Sequence, residues 1–378
     1  VCLFCYRHYI RQKQIEQKKH TGLVSEDFPV QDIKHQSKNI YEDAYQTEAD
    51  NQLQNMRNNN SYTIEDPLVV WNPYGTNTGS FYYYGVSEQD SYVVCEVTCN
   101  NGSVIKHRLK NDSDSGVTKT HEYLITGLAP GLENHFSLAF YDAGNNLIHT
   151  YQYTVTLKKD KQIPAITKVE KGNSKSSLTD GLFAVLGHDK SKAKNIYYYD
   201  NNGICRGKTP LNDYRTDRIL TIDGKLVYSY SLTDIAFVNR LGKVEKTLSL
   251  GKYELHHDFM YDEKRNELLC LVNDTDKDTI EDVLISVNIE TGKIKKLVDF
   301  EKMMKSMRKR SVQRKGGKNT YGGTELDWLH LNSLDMINDK DAVFSSREES
   351  VIIKINNIYE NPSIDYLIHS GSLYKGTK

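Results

Sequence analysis

Proline is scarce in this chain, with 7 among 378 residues, and tryptophan occurs only twice. A surplus charge of either sign is also missing, because 49 Lys and Arg nearly cancel 50 Asp and Glu. No global field therefore draws the protein to nucleic acid or anionic lipid, and any anion recognition has to come from a local site. Metal-ligating cysteine clusters are absent as well. Cys2 and Cys5 form a lone CxxC without a second pair to complete a tetrahedral set. Cys95 and Cys99 fall in one extended run, which separates their Cα atoms by about 13 Å, too far for a disulfide unless the chain turns back. Cys205 and Cys270 read as small core hydrophobes. Neither a cofactor nor a metal is expected, and cysteine usage leaves the compartment undecided. The chain begins at Val1, and its apolar stub (Val1, Cys2, Leu3, Phe4, Cys5) is too short to span a bilayer. It reads either as the tail of a cut signal or membrane anchor or as an unrelated terminus.

What the sequence has in abundance is tyrosine, at 26 residues, much of it in short alternating runs that favour strands. Residues 1–61 are polar and charged. Ile33, Ile40, Tyr41 and Tyr45 have some helical spacing, so this stretch is expected to be a helix of modest stability or a linker. From 62 to 160 the pattern becomes short strands: Phe81–Val86, Tyr92–Val97, Val104–Leu109, Tyr123–Thr126, His135–Tyr141 and Leu147–Val155. Hairpin turns such as Asn100-Asn101-Gly102 separate them. Leu124 to Gly131 resembles the L-x-G-L-x-P-G turn of fibronectin-like sandwiches, and the region is read as a small β-sandwich.

Residues 161–378 carry a repeat of strand, glycine turn and returning strand. It occurs at Asn195–Cys205, Asp234–Leu248, Val283–Val298 and, with a longer turn, Ser350–Ile368. The glycines of the first three turns, Gly203, Gly242 and Gly292, step by 39 and then 50 residues. All-β patterning at this period predicts about four blades of a β-propeller, too few to close a ring. The fold class expected is all-β: a small N-terminal sandwich followed by an incomplete propeller.

A finer repeat lies inside the first. His256 precedes Asn273 by 17 residues, and His330 precedes Arg347 by 17. Two-strand patterns fill both intervals, so equivalent blade positions carry a histidine and then a polar or cationic residue. Inner propeller strands line a central channel, where these side chains would converge. Arg347 offers a planar fork of donors to a tetrahedral oxyanion. His256 or His330 can donate to a third oxygen or protonate a leaving oxygen. Asn332 adds an amide donor. The plainer readings are a structural histidine beside a core strand and an Arg347 paired with Glu348 or Glu349.

Asp327-Trp328-Leu329-His330-Leu331-Asn332-Ser333 resembles the D-W-x-H-x-N-S signature of bacterial aryl-sulfate sulfotransferases. Ser345-Ser346-Arg347 is similar to their S-S-R strand, and His256-His257-Asp258 to their H-H-D segment. Asn72-Pro73-Tyr74-Gly75-Thr76-Asn77 looks like the opening of their small β-domain, so the resemblance spans residues 62–378. It implies a six-bladed propeller that moves a sulfuryl group from a phenolic sulfate ester to a phenol, without a nucleotide donor, by a ping-pong route through a sulfohistidine. It also implies an extracytoplasmic location and is compatible with a membrane anchor and a homodimer. His256, His330 and Arg347 are then the catalytic candidates, with Asn332 and His257 binding substrate; His257 is the alternative to His256. The family's nucleophilic histidine has no counterpart motif after Arg347, and His369 falls on an outer strand. The chain is accordingly expected to be a fragment, inactive alone, that holds the sulfate cup but not the nucleophile. The segment Lys302–Lys318, with eight Lys and Arg and two glycines, is read as a solvated loop that modestly steers anionic aryl sulfates. The competing function is a non-catalytic propeller that binds a ligand or a protein.

Overall fold

The computed structural model of the protein describes residues 30–113, 116–163, 170, 172–173, 179, 181–187, 194–212, 216–311 and 323–369. Cys2, Cys5, the N-terminal stub and the glycine-containing end of the basic insertion lie outside these residues. Cys95, Cys99, Cys205 and Cys270 are buried free thiols. Among the described residues, no helix is long and apolar enough to cross a membrane. The chain forms two compact units, residues 1–214 with 238–245 and residues 215–237 with 246–378.

Among the described residues, the first elements of the first unit are helix α1 (Asp43–Asn59) and strands β1 (Leu68–Trp71), β2 (Ser80–Cys99), β3 (Ile105–Arg108), β4 (Thr118–Thr126), β5 (Glu133–Tyr141) and β6 (Leu147–Thr156). The helix starts later than the spacing of Ile33, Ile40 and Tyr41 suggested. Its buried stripe is Gln46, Ala49 and Leu53, which fall three and four residues apart. Ala49 and Leu53 pack with Leu68, Val70, Tyr74 and Tyr82. Gln46 donates to the Ile40 and Tyr74 carbonyls and so tolerates burial.

β2 is one 20-residue strand where the sequence suggested two. Its first half pairs with β1 and β4, and its second half with β3 and β5, with β6 beyond. The polar run at 87–91 looks like a turn but stays extended, because the Ser87 and Ser91 hydroxyls both bond the buried His121 ring, at 3.0 and 3.1 Å from Nε2. Alternate residues of these strands, among them Phe81, Tyr83, Val93, Val97, Phe136 and Phe140, fill the sandwich core. The L-x-G-L-x-P-G turn is present. Gly127 is left-handed (φ 88°), and a Cβ there would lie 2.9 Å from Ile105 Cδ1. Strands β7 (Phe183–Val185), β8 (Asn195–Tyr199) and β9 (Cys205–Pro210) form a separate three-stranded sheet.

Three four-stranded antiparallel sheets follow, each in sequential order. They comprise β10 (Ile219–Ile222), β11 (Lys225–Ser229), β12 (Asp234–Val238) and β13 (Val244–Ser249); then β14 (Tyr253–Asp262), β15 (Glu267–Asp274), β16 (Val283–Asn288) and β17 (Ile294–Asp299). After helices α2 (Phe300–Met303) and α3 (Lys305–Arg310) come β18 (Leu331–Met336), β19 (Ala342–Ser346), β20 (Val351–Asn356) and β21 (Ser363–His369). The leading strands adjoin in order, β10 beside β14 and β14 beside β18, as the inner strands of successive propeller blades do. The repeat read from sequence corresponds to the last hairpin of each sheet, with Gly242 and Gly292 left-handed at the turns (φ 84° and 67°). The finer repeat corresponds to the inner hairpins β14–β15 and β18–β19. The basic insertion is not simply a solvated loop, since it begins as α2 and α3 and buries Met304 and Met307 with Phe300 and Trp328.

Candidate functional site

Three residues with left-handed backbone converge in the second unit: His257 (φ 53°), Glu281 (φ 59°) and His330 (φ 50°). An L-residue pays roughly 1–2 kcal/mol for this conformation, and such strain collects at sites where geometry serves chemistry. Local pairing accounts for each residue. The β14–β15 register shifts between Leu255 and Phe259, which turns His257 out of the ladder. His330 sits immediately before β18, and the Arg347 N–H donates to its carbonyl at 3.0 Å. Glu281 lies near the end of the β15–β16 loop, which is laid along the chain entering β18. Ile280 N–H donates to the Leu326 carbonyl, Leu326 N–H to the Asp278 carbonyl and Leu331 N–H to the Glu281 carbonyl. The Trp328 indole donates to Asp282 at 2.9 Å and pins the same segment. Asp258 ties the inner strands together by accepting from Arg218 and, at 2.9 Å, from the Leu334 N–H on β18.

The side chains form one network. His257 Nε2 and His330 Nε2 lie 2.9 Å apart, so one donates and the other accepts. His330 Nδ1 lies 2.5 Å from Glu281 and 2.9 Å from both Asp327 oxygens. Asp327 in turn accepts from Arg347 Nη2 at 3.3 Å, and the same guanidinium pairs with Glu348 at 2.8 Å. The Asn273 amide oxygen accepts the Glu281 backbone N–H at 2.7 Å, and Asp217 accepts that of His257 at 3.1 Å. His256 packs edge-on against His257 with ring centroids 5.6 Å apart. Neither of its ring nitrogens has a hydrogen-bond partner of good geometry, although the Val272 backbone lies close by.

Electrostatics separates the histidines. Burial opposes charge on His330, but hydrogen bonds to Asp327 and Glu281 outweigh it and lift its pKa to about 9. His330 is therefore a cation at neutral pH. Burial dominates at His256 and lowers its pKa to about 3, which leaves that imidazole neutral.

The fold thus brings His256, His257, His330 and Arg347 into one neighbourhood, while Asn332 is exposed on β18 and makes no hydrogen bond to this network. Two sequence expectations need correction. The cup is not made of cations alone, because buried Glu281 and Asp327 interleave with the imidazoles. The backbone counterpart of His330 is His257, which shares its left-handed φ, rather than His256. Arg347 keeps the Glu348 partner of the plainer reading and adds Asp327. Glu281 was missed. Its only sequence signal is a Glu-Asp pair placed just before the apolar run Val283–Val287. His369 is on β21, three strands out from β18 and so roughly 14 Å away at ordinary strand spacing. Ligand atoms of His256, His257 and Glu281, and likewise of Glu281, Asp327 and His330, lie within 4.8 Å of one another, close enough for either trio to hold a metal ion.

Among solved structures, the chain is similar to the β-propeller domain of Cps50 (Swd1) from Myceliophteria thermophila, at 7% identity over 66% of this chain and 68% of that one, with a TM-score of 0.30. It is also similar to the computationally designed Ika8 protein (12% identity, 75% and 73% covered, TM-score 0.27). A third is KlHsv2 with loop 6CD replaced by a Gly-Ser linker (10% identity, 73% and 95% covered, TM-score 0.27). A search of curated proteins found no match. The family model described as Arylsulfotransferase (ASST) matches residues 167–378, which contain the whole network just described. The chain belongs to the arylsulfotransferase family.

Proposed function

We propose that this site transfers a sulfuryl group from an aryl sulfate ester to a phenol. The observation that carries the reading is the placement of the His257–His330 pair, backed by Asp327 and Glu281 and flanked by Arg347, inside the region matched by the family. Sulfuryl transfer, like phosphoryl transfer, asks mainly for positioning and for donors where charge builds on the transferring and leaving oxygens. Arg347 grips the sulfuryl oxygens, which replace its exposed partner Glu348, and Asp327 keeps the guanidinium aimed. Asn332 on β18 adds an amide donor.

The route is ping-pong. A histidine nitrogen attacks sulfur, the sulfur–aryloxy bond breaks, and the departing phenolate takes a proton from the His257–His330 pair. The acceptor phenol then returns its proton to the pair, and its oxygen attacks sulfur and releases the imidazole. The sulfated histidine is a residue other than His256, His257 and His330. Both nitrogens of His330 are engaged, Nε2 of His257 faces His330, and His256 is buried. An extracytoplasmic location, where phenolic sulfates are met directly, belongs to the same proposal.

The test uses the full-length protein with a nitrophenyl sulfate. Nitrophenol release that requires added phenol is the expected result. Equal release into water would point to a sulfatase, and no release with either acceptor to a binding module.

A further inference from the structure

We propose that the sandwich carries a binding site of its own, a cavity at its corner that takes a small organic cation, an ammonium group on an apolar body. The cavity measures about 420 Å³, within the range of small-molecule sites. It exists because β2 changes partners there. The ladder between β2 and β4 is interrupted between Val86 and Ser91, and beyond that point β2 pairs with β3 and β5. A strand that passes from one sheet to the other in this way turns the corner of a sandwich and leaves the layers open. The chain approaching β1 is laid along the same stretch, with the Ile64 N–H donating to the Val86 carbonyl at 3.1 Å, and so brings Glu65 to the cavity.

The lining selects the ligand. Phe140 and His149 are cross-strand partners on β5 and β6, and Tyr151 follows His149 on the same face. Their rings cluster, with centroids 4.3 Å apart for His149 and Tyr151 and 5.7 Å for Phe140 and Tyr151. Such rings form an apolar wall whose faces attract positive charge. Glu65 and Glu88 supply carboxylates beside that wall. Glu65 accepts the Tyr151 hydroxyl at 3.0 Å, and a carboxylate keeps further lone pairs for the N–H of a ligand. Burial raises the Tyr151 pKa and the charges of Glu65 and Glu88 add to the rise, so both carboxylates lie near its hydroxyl. No lysine or arginine is among the described residues that line the cavity. An anion would be repelled there, and a neutral molecule would leave both carboxylates unanswered. An ammonium group pairs with them while its body rests on the rings and on Ile64.

The experiment reads binding directly and uses no sulfate ester, so its outcome is independent of the sulfuryl-transfer reading. The full chain is titrated by calorimetry with phenethylammonium chloride, and separately with 2-phenylethanol and sodium phenylacetate, which keep the ring and change the charge. The ammonium is expected to bind one equivalent, the alcohol at least about tenfold more weakly, and the carboxylate not at all. Affinity for the ammonium should fall at least about tenfold in Glu65→Gln and in Glu88→Gln. It should stay unchanged in Glu133→Gln, at the opposite end of β5 from Phe140. Glu88 is exposed, so its variant decides the matter if Glu65→Gln fails to fold. No binding of the ammonium, equal affinity for the ammonium and the alcohol, or full affinity in Glu88→Gln overturns the proposal.

Discussion

Two buried histidines, one in the sandwich and one in the blades, differ in charge: the first is neutral and the second a cation. His121 is fully buried, and its ring nitrogens face the hydroxyls of Ser87, Ser91 and Tyr123 at 3.0–3.1 Å. Burial lowers its pKa to about 4, and the charge of Asp90 recovers only part of that. His330 is buried almost as deeply, yet two carboxylates raise its pKa to about 9. Burial alone therefore does not decide whether an imidazole is charged. The partner does: a hydroxyl can serve the neutral ring, whereas a carboxylate rewards the cation. The sandwich uses its histidine to hold a polar stretch of β2 extended, and the blade uses its own to keep a proton available.

The sharpest way to break this contrast is by activity. His330→Gln should lower phenol-dependent nitrophenol release by about 10²- to 10⁴-fold, the usual worth of a positioned acid–base group. Arg347→Ala should lower it by at least about tenfold through loss of a charged contact. His121→Gln should leave turnover unchanged; equal losses at 121 and 330 would mean that both histidines matter only to folding.

Stability gives a second, smaller test. A histidine whose folded pKa is raised above the ordinary 6.5 contributes stability that is complete below about 6.5 and lost as pH climbs toward 9. His121 and His256, with lowered values, behave in the opposite sense. Their contribution is present above about 6.5 and lost as pH falls toward 4 and 3. Urea midpoints measured from pH 4 to 9.5 should therefore fall at both ends, and the alkaline decline should flatten in His330→Gln. An alkaline limb unchanged by that substitution would contradict the carboxylate account.

The finest test acts on one partner. Glu281→Gln should lower the His330 pKa by about one to three units while Asp327 keeps it above that of His121, as followed by imidazole resonances. No movement would assign the shift to Asp327 alone.

Much of this architecture was legible in the sequence, because strand alternation and glycine turns are local. The hairpins around Gly242 and Gly292 appear where the repeat placed them. Less legible was anything decided by pairing across the fold. The run at 87–91 has turn composition, and partners 27 to 34 residues away, His121 and its strand neighbours Thr118 and Lys119, hold it extended. At the site, Asp327, His330 and Arg347 share one hairpin and its approach and could be read together. Glu281 reaches them from the preceding sheet, in a loop whose docking along 326–331 no spacing rule describes. Which of His256 and His257 leaves the ladder depends on a register shift, which a linear sequence does not display.

The continuity of β2 has a consequence for how the sandwich comes apart. One strand supplies hydrogen bonds to four neighbours, so neither face can peel away without dragging the shared backbone. Amide protons on β1, β3, β4 and β5 should consequently exchange as a single cooperative class, with no partly open form in which half the sandwich survives.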